Sequence, residues 1–499
     1  MKKSILYVCF AIISLVANAQ TEKMYIYQQG QVKAIELAAI DSLVFAEDYI
    51  DWLDADQITT LVNKMYDDWD GLANEYLFGR DLMWEQAAGN DVAWGRPRPN
   101  PELVTLSLTQ SVSVLNNAWN SLNYLIISAN QVIQIITRMP TLSDEQQRQL
   151  GEAYFMRAVA HFYIAYRYGT SKQGVPFVRY EDFANGYDSS VAPQRATVME
   201  NYQLIIDDLT KAEELLPTFD AYDEADFGRA HKAAAVGYMA KVYTYWACWD
   251  SGKWAQVVAC VDKLENTYGR ALAQDFTDNF TSDKSKWANS EYLFSLPSEK
   301  VESEWKGCEF PGVVLVNKGW GKVNGWGQFK PTLDIYEEFS KDDSKLAAGQ
   351  STNLRKVNSL LEYGQQFQFF GETMNFWDPR DVETGFMIAK YLEPFGHANP
   401  IEEGYVCDNG NWPVARLNFP LMRFAECLLL RAEAYLAMGN ATKATADINT
   451  IRDRAKLTPL AANATWTDLY HERRCELAFE LAADHAFDCK RWAYAGNAE

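Results

Sequence analysis

His471-Glu472-x-x-Cys475 begins like a zinc-hydrolase helix but lacks the second histidine that would close the grip on the metal from one helix face. The five histidines, His161, His231, His397, His471 and His485, are scattered, so no metal cluster is expected and each ring is read as structural. Asp67-Asp68-Trp69-Asp70-Gly71 has the acidity of a calcium loop without the ordered ligand spacing or closing glutamate of an EF-hand. Carboxylate pairs such as Asp207-Asp208 and Glu337-Glu338 are what any chain with 67 acidic residues must show, and they read as solvated helix faces. There is no G-x-S-x-G elbow, no P-loop and no dinucleotide fingerprint. The expectation is a protein without catalytic residues, metal or cofactor.

What remains is aromatic. The chain carries 16 Trp and 27 Tyr, and several tryptophans lie outside any helical periodicity: Trp84 and Trp94 in one loop, Trp305, Trp320 and Trp326 in another, Trp377 in a third. Asn90, Asp91, Asn324 and Gln328 stand close to them. A sugar ring has a flat C–H face that packs on an indole and edge hydroxyls that bond to amides and carboxylates, so this combination suits carbohydrate. The candidate ligand contacts are Trp84, Asn90, Asp91, Trp94, Trp320, Asn324 and Trp326. Trp119, Trp246, Trp249 and Trp254 fall in or beside helical periodicity and read as core, and Trp326 fits a structural role as well as a ligand contact.

These loops need a scaffold, and the scaffold is helical. Ala425, Leu429, Ala432 and Leu436 recur at four-three-four spacing, and after Gly439-Asn440 the pattern resumes with Ala444, Ile448, Ile451 and Ala455, which describes an αα-hairpin with a small-residue seam. Gly151–Gly169 has two apolar faces, one with Ala153, Met156, Ala160 and Tyr163, the other with Phe155, Val159, Phe162 and Tyr166. A helix patterned in this way needs a neighbour on each side. Ala235–Asp262 shows a further pair around the break at Asp250-Ser251-Gly252, like the turn of a tetratricopeptide hairpin. Between Asp54 and Met139 the pattern is helix, long loop at Phe78–Asn100, long helix. From about 271 to 416 the periodicity gives way to irregular Gly-, Trp- and Asn-rich sequence, where a rigid scaffold would display its binding groups.

The N-terminus reads as an export signal over residues 1–19: Lys2 and Lys3, an apolar run Ile5–Val16, then Ala17-Asn18-Ala19 before Gln20. Residues 20–50 differ in texture, with alternation around Gly30 that suggests a β-hairpin. No later run spans a membrane as a helix. The formal net charge of −21, made two charges more negative by loss of the leader lysines, argues against nucleic acid as a partner. Of the eight cysteines, seven lie beyond the leader without close C-x-x-C pairs, giving neither a zinc site nor a dense disulfide framework.

Several separated segments resemble the SusD/RagB family of outer-membrane glycan-binding proteins. They are Trp119-x-x-Leu122-x-Tyr124 with Ala129-Asn130, Ala153-Tyr154-Phe155-Met156-Arg157-Ala158 leading to Tyr168-Gly169 and Val175-Pro176, Trp326-Gly327-Gln328-Phe329-x-Pro331, Arg431-Ala432-Glu433-Ala434, Ile448-Asn449-x-Ile451-Arg452-x-Arg454-Ala455, and Glu472-Arg473-x-x-Glu476-Leu477-x-Phe479-Glu480. Their order covers about Asp51 to Trp492. The resemblance implies a mostly α fold with about four tetratricopeptide-like helical pairs, occupying residues 51–499, and a loop-rich subdomain at about 271–416. It also implies a non-catalytic, surface-facing outer-membrane protein that captures a glycan or oligosaccharide and passes it to a SusC-type TonB-dependent transporter.

The chain departs from the family in two places. No cysteine stands where a lipid anchor would be attached, and the usual Phe-Glu-Gly-x-Arg run is replaced by Phe479-Glu480-Leu481-Ala482-Ala483-Asp484-His485. From the residues alone, an exported tetratricopeptide-like protein–protein interaction module without sugar binding stays open, as does an exported glycan hydrolase.

Overall fold

A computed structural model describes residues 23–28, 31–36, 55–71, 88–94, 113–182, 194–298, 314–317, 320, 325–376, 384–407, 414–480 and 485–496. The scaffold begins with α1 (Ala55–Gly71), α2 (Ser113–Ile136), α3 (Asp144–Tyr168), α4 (Val198–Leu215), α5 (Lys232–Ala247) and α6 (Trp254–Asn266). The helix with two apolar faces is α3, which packs between α2 and α4 and buries both sets of residues, Ala153, Met156, Ala160 and Tyr163 as well as Phe155, Val159, Phe162 and Tyr166. Its start is fixed by a capping box in which Ser143 and Gln146 satisfy each other's backbone donors, and Thr197 with Glu200 does the same for α4.

Beyond α6 the chain leaves the stack and later returns. Through the excursion run β4 (Tyr292–Ser298), β5 (Phe329–Pro331), α7 (Leu333–Ser340), α8 (Leu354–Ser359), β6 (Leu360–Glu362), β7 (Gln366–Phe369), β8 (Glu372–Asn375), β9 (Phe386–Ile388), β10 (Val406–Cys407) and β11 (Val414–Ala415). The return strand, β12 (Leu417–Arg423), pairs antiparallel with β4 and closes the excursion at its base. Four helices follow: α9 (Phe424–Ala437), α10 (Ala441–Arg454), α11 (Trp466–Glu476) and α12 (His485–Tyr494). Because α9 packs directly on α6, the stack continues as though the excursion were absent, and among the described residues α1–α2, α3–α4, α5–α6 and α9–α10 form four packed helical pairs.

The main core runs through all four pairs and into β4 and β12. A second apolar cluster lies wholly within the excursion, where Val316, Trp320, Leu361, Phe369, Phe376, Met387 and Phe395 pack together. At the N-terminus, β1 (Lys23–Gln28) and β2 (Gln31–Glu36) form an antiparallel hairpin, and β3 (Val92–Trp94) pairs with β5, joining two loops far apart in sequence.

The family-like motifs meet inside this fold. Arg157 is 1% exposed and donates to both Asp208 oxygens at 2.8 Å, to Glu181 and to the side-chain oxygen of Asn130. Asn130 in turn holds the Val178 carbonyl. Arg431 spans Asp447, Asp262 and Glu265 in the same manner. Such charges are tolerated in a core only when fully paired.

Candidate ligand-binding site

A groove of about 550 Å³ opens in the excursion between residues 276–286 on one side and residues 357–397 on the other. Phe276 and Phe280 are buried beneath its base, 7% and 3% exposed, and half-buried Phe367, on β7, lines it with open ring surface. The position of Phe367 follows from a two-residue hairpin turn. Phe370 and Gly371 both have positive φ, 53° and 71°, as required for a tight β7–β8 turn whose twist matches its strands. Behind Phe367 sits Trp320, ring centroids 4.8 Å apart.

Polar groups ring the aromatic base. Asp278 faces Lys286 at 3.5 Å, and Asp283 accepts from the Ser285 hydroxyl and amide, which hold its carboxyl below the usual carboxylate range. Glu393 accepts from the Ser282 amide and hydroxyl at 2.7 and 2.8 Å with one oxygen and meets His397 at 2.7 Å with the other. Asn358 and Gln368 complete the lining. Apolar ring surface bordered by carboxylates and amides offers a sugar both surfaces it presents, its C–H face and its hydroxyl edge.

The groove is supported by a buried lattice of ions. Helix α8 sends Val357 and Asn358 to the groove, while Arg355 turns inward to Asp342 at 2.7 Å and Glu472 at 2.5 Å. Arg423 donates to Glu291, Glu476 and Glu480 at 2.5, 2.7 and 2.6 Å. Arg454 reaches Glu291 and Glu476, and Arg452 reaches Glu472. Lys390 pairs with Glu480 at 2.9 Å and lies about 5 Å from the rings of both Phe276 and Phe280. Burial opposes the charge on Glu476, yet Arg454, Arg423 and Arg355 bring its pKa down to about 2. For Lys390, burial wins over Glu480 and pushes the ammonium down to about 8.

The structure sorts the residues expected from sequence. Asp91 is 3% exposed and its carboxylate meets Arg474 at 2.8 Å and His485 at 3.4 Å. Trp320 is 4% exposed with Phe367, Phe369 and Phe376 around its ring, so it backs the groove's aromatic wall. Asn90 is exposed at φ 62°, and its carbonyl accepts from the Thr332 hydroxyl. The backbone of Trp94 pairs with Phe329, which brings the Asn90–Trp94 loop beside the Trp326–Phe329 segment. Trp326 is half-buried against the main core. Trp84 and Asn324 lie outside the described residues, as do Trp305 and Trp377.

Sequence reasoning missed the groove's own aromatics. Phe276 and Phe280, flanked by acidic and amide residues, and the alternation Gln366-Phe367-Gln368-Phe369 were the available signals. It also missed a cluster on the far side of the lattice. His471 sits between Glu338 at 2.6 Å and Asp342 at 3.0 Å, with Cys475 near its ring. Burial opposes the imidazolium, but Cys475, Asp342 and Glu338 outweigh it and lift its pKa to about 12.

Two family descriptions match successive parts of the chain. Residues 51–244 match "starch-binding associating with outer membrane" and residues 276–498 match the SusD family. A SusD-like protein of Bacteroides ovatus is 25% identical over 419 residues, covering 79% of this chain and 68% of the relative. A SusD superfamily protein from Bacteroides vulgatus superposes with a TM-score of 0.71 at 21% identity, covering 89% of each chain. A laminarin-binding SusD-like protein superposes at 0.68 with 18% identity, over 89% of this chain and 93% of that one. A structure described with xylogluco-oligosaccharide does so at 0.67 with 21% identity, over 88% and 82%.

Proposed function

Because the chain belongs to the SusD/RagB family, we propose that it captures a glycan or oligosaccharide in the groove lined by Phe276, Phe280 and Phe367 and does no covalent chemistry on it. The observation that carries this reading is the groove: half-buried Phe367 above the buried rings of Phe276 and Phe280, carboxylates and amides at its rim, and a lattice of ion pairs beneath. Laminarin and xylogluco-oligosaccharide on proteins of similar fold support a carbohydrate as the ligand class. Capture proceeds by stacking and hydrogen bonding in a preformed site, and release passes the sugar to a SusC-type TonB-dependent transporter over which the chain acts as a lid.

The chain is exported and faces the surface of the outer membrane. No described helix is long and apolar enough to cross a membrane, and the mature chain is held at the outer membrane by its transporter or not held at all. An acyl chain found on the mature protein by mass spectrometry would refute that. The test of function is native affinity electrophoresis and calorimetry on a polysaccharide panel, with reducing ends assayed in parallel. Binding without turnover that weakens in Phe367→Ala is expected. Silence across the panel would favour an interaction module, and released reducing ends would favour a hydrolase.

A further inference from the structure

We propose that Asp342, His471 and Cys475 form a binding site for one borderline-soft divalent cation, of which zinc is the type, clipping the end of α7 to α11. His471 and Cys475 are one helical turn apart on α11, and Asp342 follows α7, so the fold supplies the third donor that a single helix lacks. The donor atoms of the three residues lie within 4.8 Å of one another, and Asp342 and Cys475 are fully buried. Ligands at zinc bonding distance in a tetrahedron are spaced about 3.3–3.8 Å apart, and the 3.0 Å from His471 Nε2 to Asp342 Oδ2 needs only a small opening to reach that.

Three further observations bear on a cation there. His471 Nε2 is buried and makes no hydrogen bond of good geometry, although it faces a carboxylate. His471 Nδ1 lies 2.6 Å from Glu338, so a carboxylate holds the ring through Nδ1 while Nε2 faces Asp342; the Cys475 sulfur lies 3.9 Å from Nδ1 and must swing toward Nε2 to share the ion. A cavity of about 280 Å³, lined by Glu338, Lys341, His471 and Arg474 and not by Asp342 or Cys475, opens beside the ring.

The charge balance of the lattice also holds. A divalent ion takes the place of the Nε2 proton of His471 and the thiol proton of Cys475, both of which leave to solvent. The net charge beside Arg355 and Lys341 is unchanged. Thiolate, imidazole and carboxylate together favour zinc or cobalt over magnesium or calcium, which take oxygen donors.

The experiment is cobalt(II) titration of the chelator-treated full chain, followed by absorbance, with cadmium-113 NMR of the wild type. The same cavity is lined by a rival pair, His485 and exposed Cys489, whose sulfur lies 3.4 Å from the ring, so Cys489→Ser is the control. Expected are one cobalt per chain, a thiolate charge-transfer band that persists in Cys489→Ser and vanishes in Cys475→Ser, and affinity weakened about tenfold or more in Glu338→Gln. Should Cys475→Ser fail to fold, the cadmium shift of the wild type still reports whether one sulfur is bound. No thiolate band, no sulfur-bound cadmium, or a band that disappears with Cys489 and not with Cys475 overturns the proposal.

Discussion

Replacing Arg423 with methionine keeps most of the side-chain bulk and removes the charge at the centre of the lattice. Arg423 is 1% exposed and bonds to three carboxylates, Glu291, Glu476 and Glu480. After substitution Glu480 keeps Lys390, Glu291 keeps Arg454, and Glu476 keeps Arg454 and Arg355. Glu476 alone is held at about 2 instead of 4.5, and that shift, supplied by three arginines, corresponds to about 3 kcal/mol. That figure is the net left after burial's opposing penalty, so the arginines' own attraction is larger, and two more carboxylates lose a partner. The total falls in the range of about 3–5 kcal/mol seen when one member of a buried ion cluster is removed.

With an unfolding entropy of about 1 kcal/mol/K for a chain of this size, Tm falls by about 3–5 °C. The loss depends on pH with a definite sign. A depressed carboxyl contributes stability that is present above its unfolded value of 4.5 and is lost as pH falls toward 2; Arg454 and Arg355 still depress Glu476 in the variant, so the wild-type advantage is full at about pH 5 and shrinks only as pH nears about 2. Calorimetry and urea unfolding at both pH values measure it. A Tm change below about 1 °C, or a gap between the proteins that does not narrow in acid, would refute the view that these carboxylates depend on Arg423.

Phe367→Ala should weaken glycan binding by about tenfold while leaving Tm nearly unchanged, as calorimetry on both quantities will show. Trp320→Ala should instead cost about 3–5 kcal/mol of stability by emptying the second core, read as a lower urea midpoint; wild-type stability with lost binding would place the indole on the ligand. Gly371→Ala places a Cβ 2.4 Å from the Ala398 backbone at φ 71°, so hydrogen exchange across β7 and β8 should accelerate about tenfold or more. Asp488 is opposed by burial but held at about 2, below its ordinary 3.8, by Arg473 and Arg491. Asp488→Asn should therefore lower stability above pH 3.8 and flatten the acid limb of the stability curve down to about pH 2.

The scaffold was legible in sequence because burial on two faces leaves a periodic trace. The doubled stripe of α3 and the seam of α9 and α10 each demanded a neighbour, and each has one. The motifs Arg452-x-Arg454 and Glu472 through Glu480 were recognisable for a related reason: their side chains form the paired lattice, where a change leaves a charge without its partner. The groove left no such trace. Its lining comes from segments about residues 276–286, 357–368 and 389–397, none periodic, and only tertiary structure sets them side by side. A tryptophan bordered by glycines, such as Trp320, looks the same in sequence whether it meets a ligand or backs the ring beside it. The partners of Asp91, Arg474 and His485, are hundreds of residues away, beyond the reach of any local pattern.

That distance bears on how the chain reaches its final state. Arg474 bonds to Asp91 across 383 residues and His485 meets Gly89 across 396, while Glu433 has Arg491 and Trp492 as its buried partners. A polypeptide delivered N-terminus first can assemble its early hairpins as they emerge, but their ionic closure waits for the last turn of helix to arrive. Until then Glu433 lacks the arginine it is buried with, although α9 already has α5, α6 and α10 to pack on. The last turn of helix therefore neutralises a charge that the rest of the stack has already enclosed.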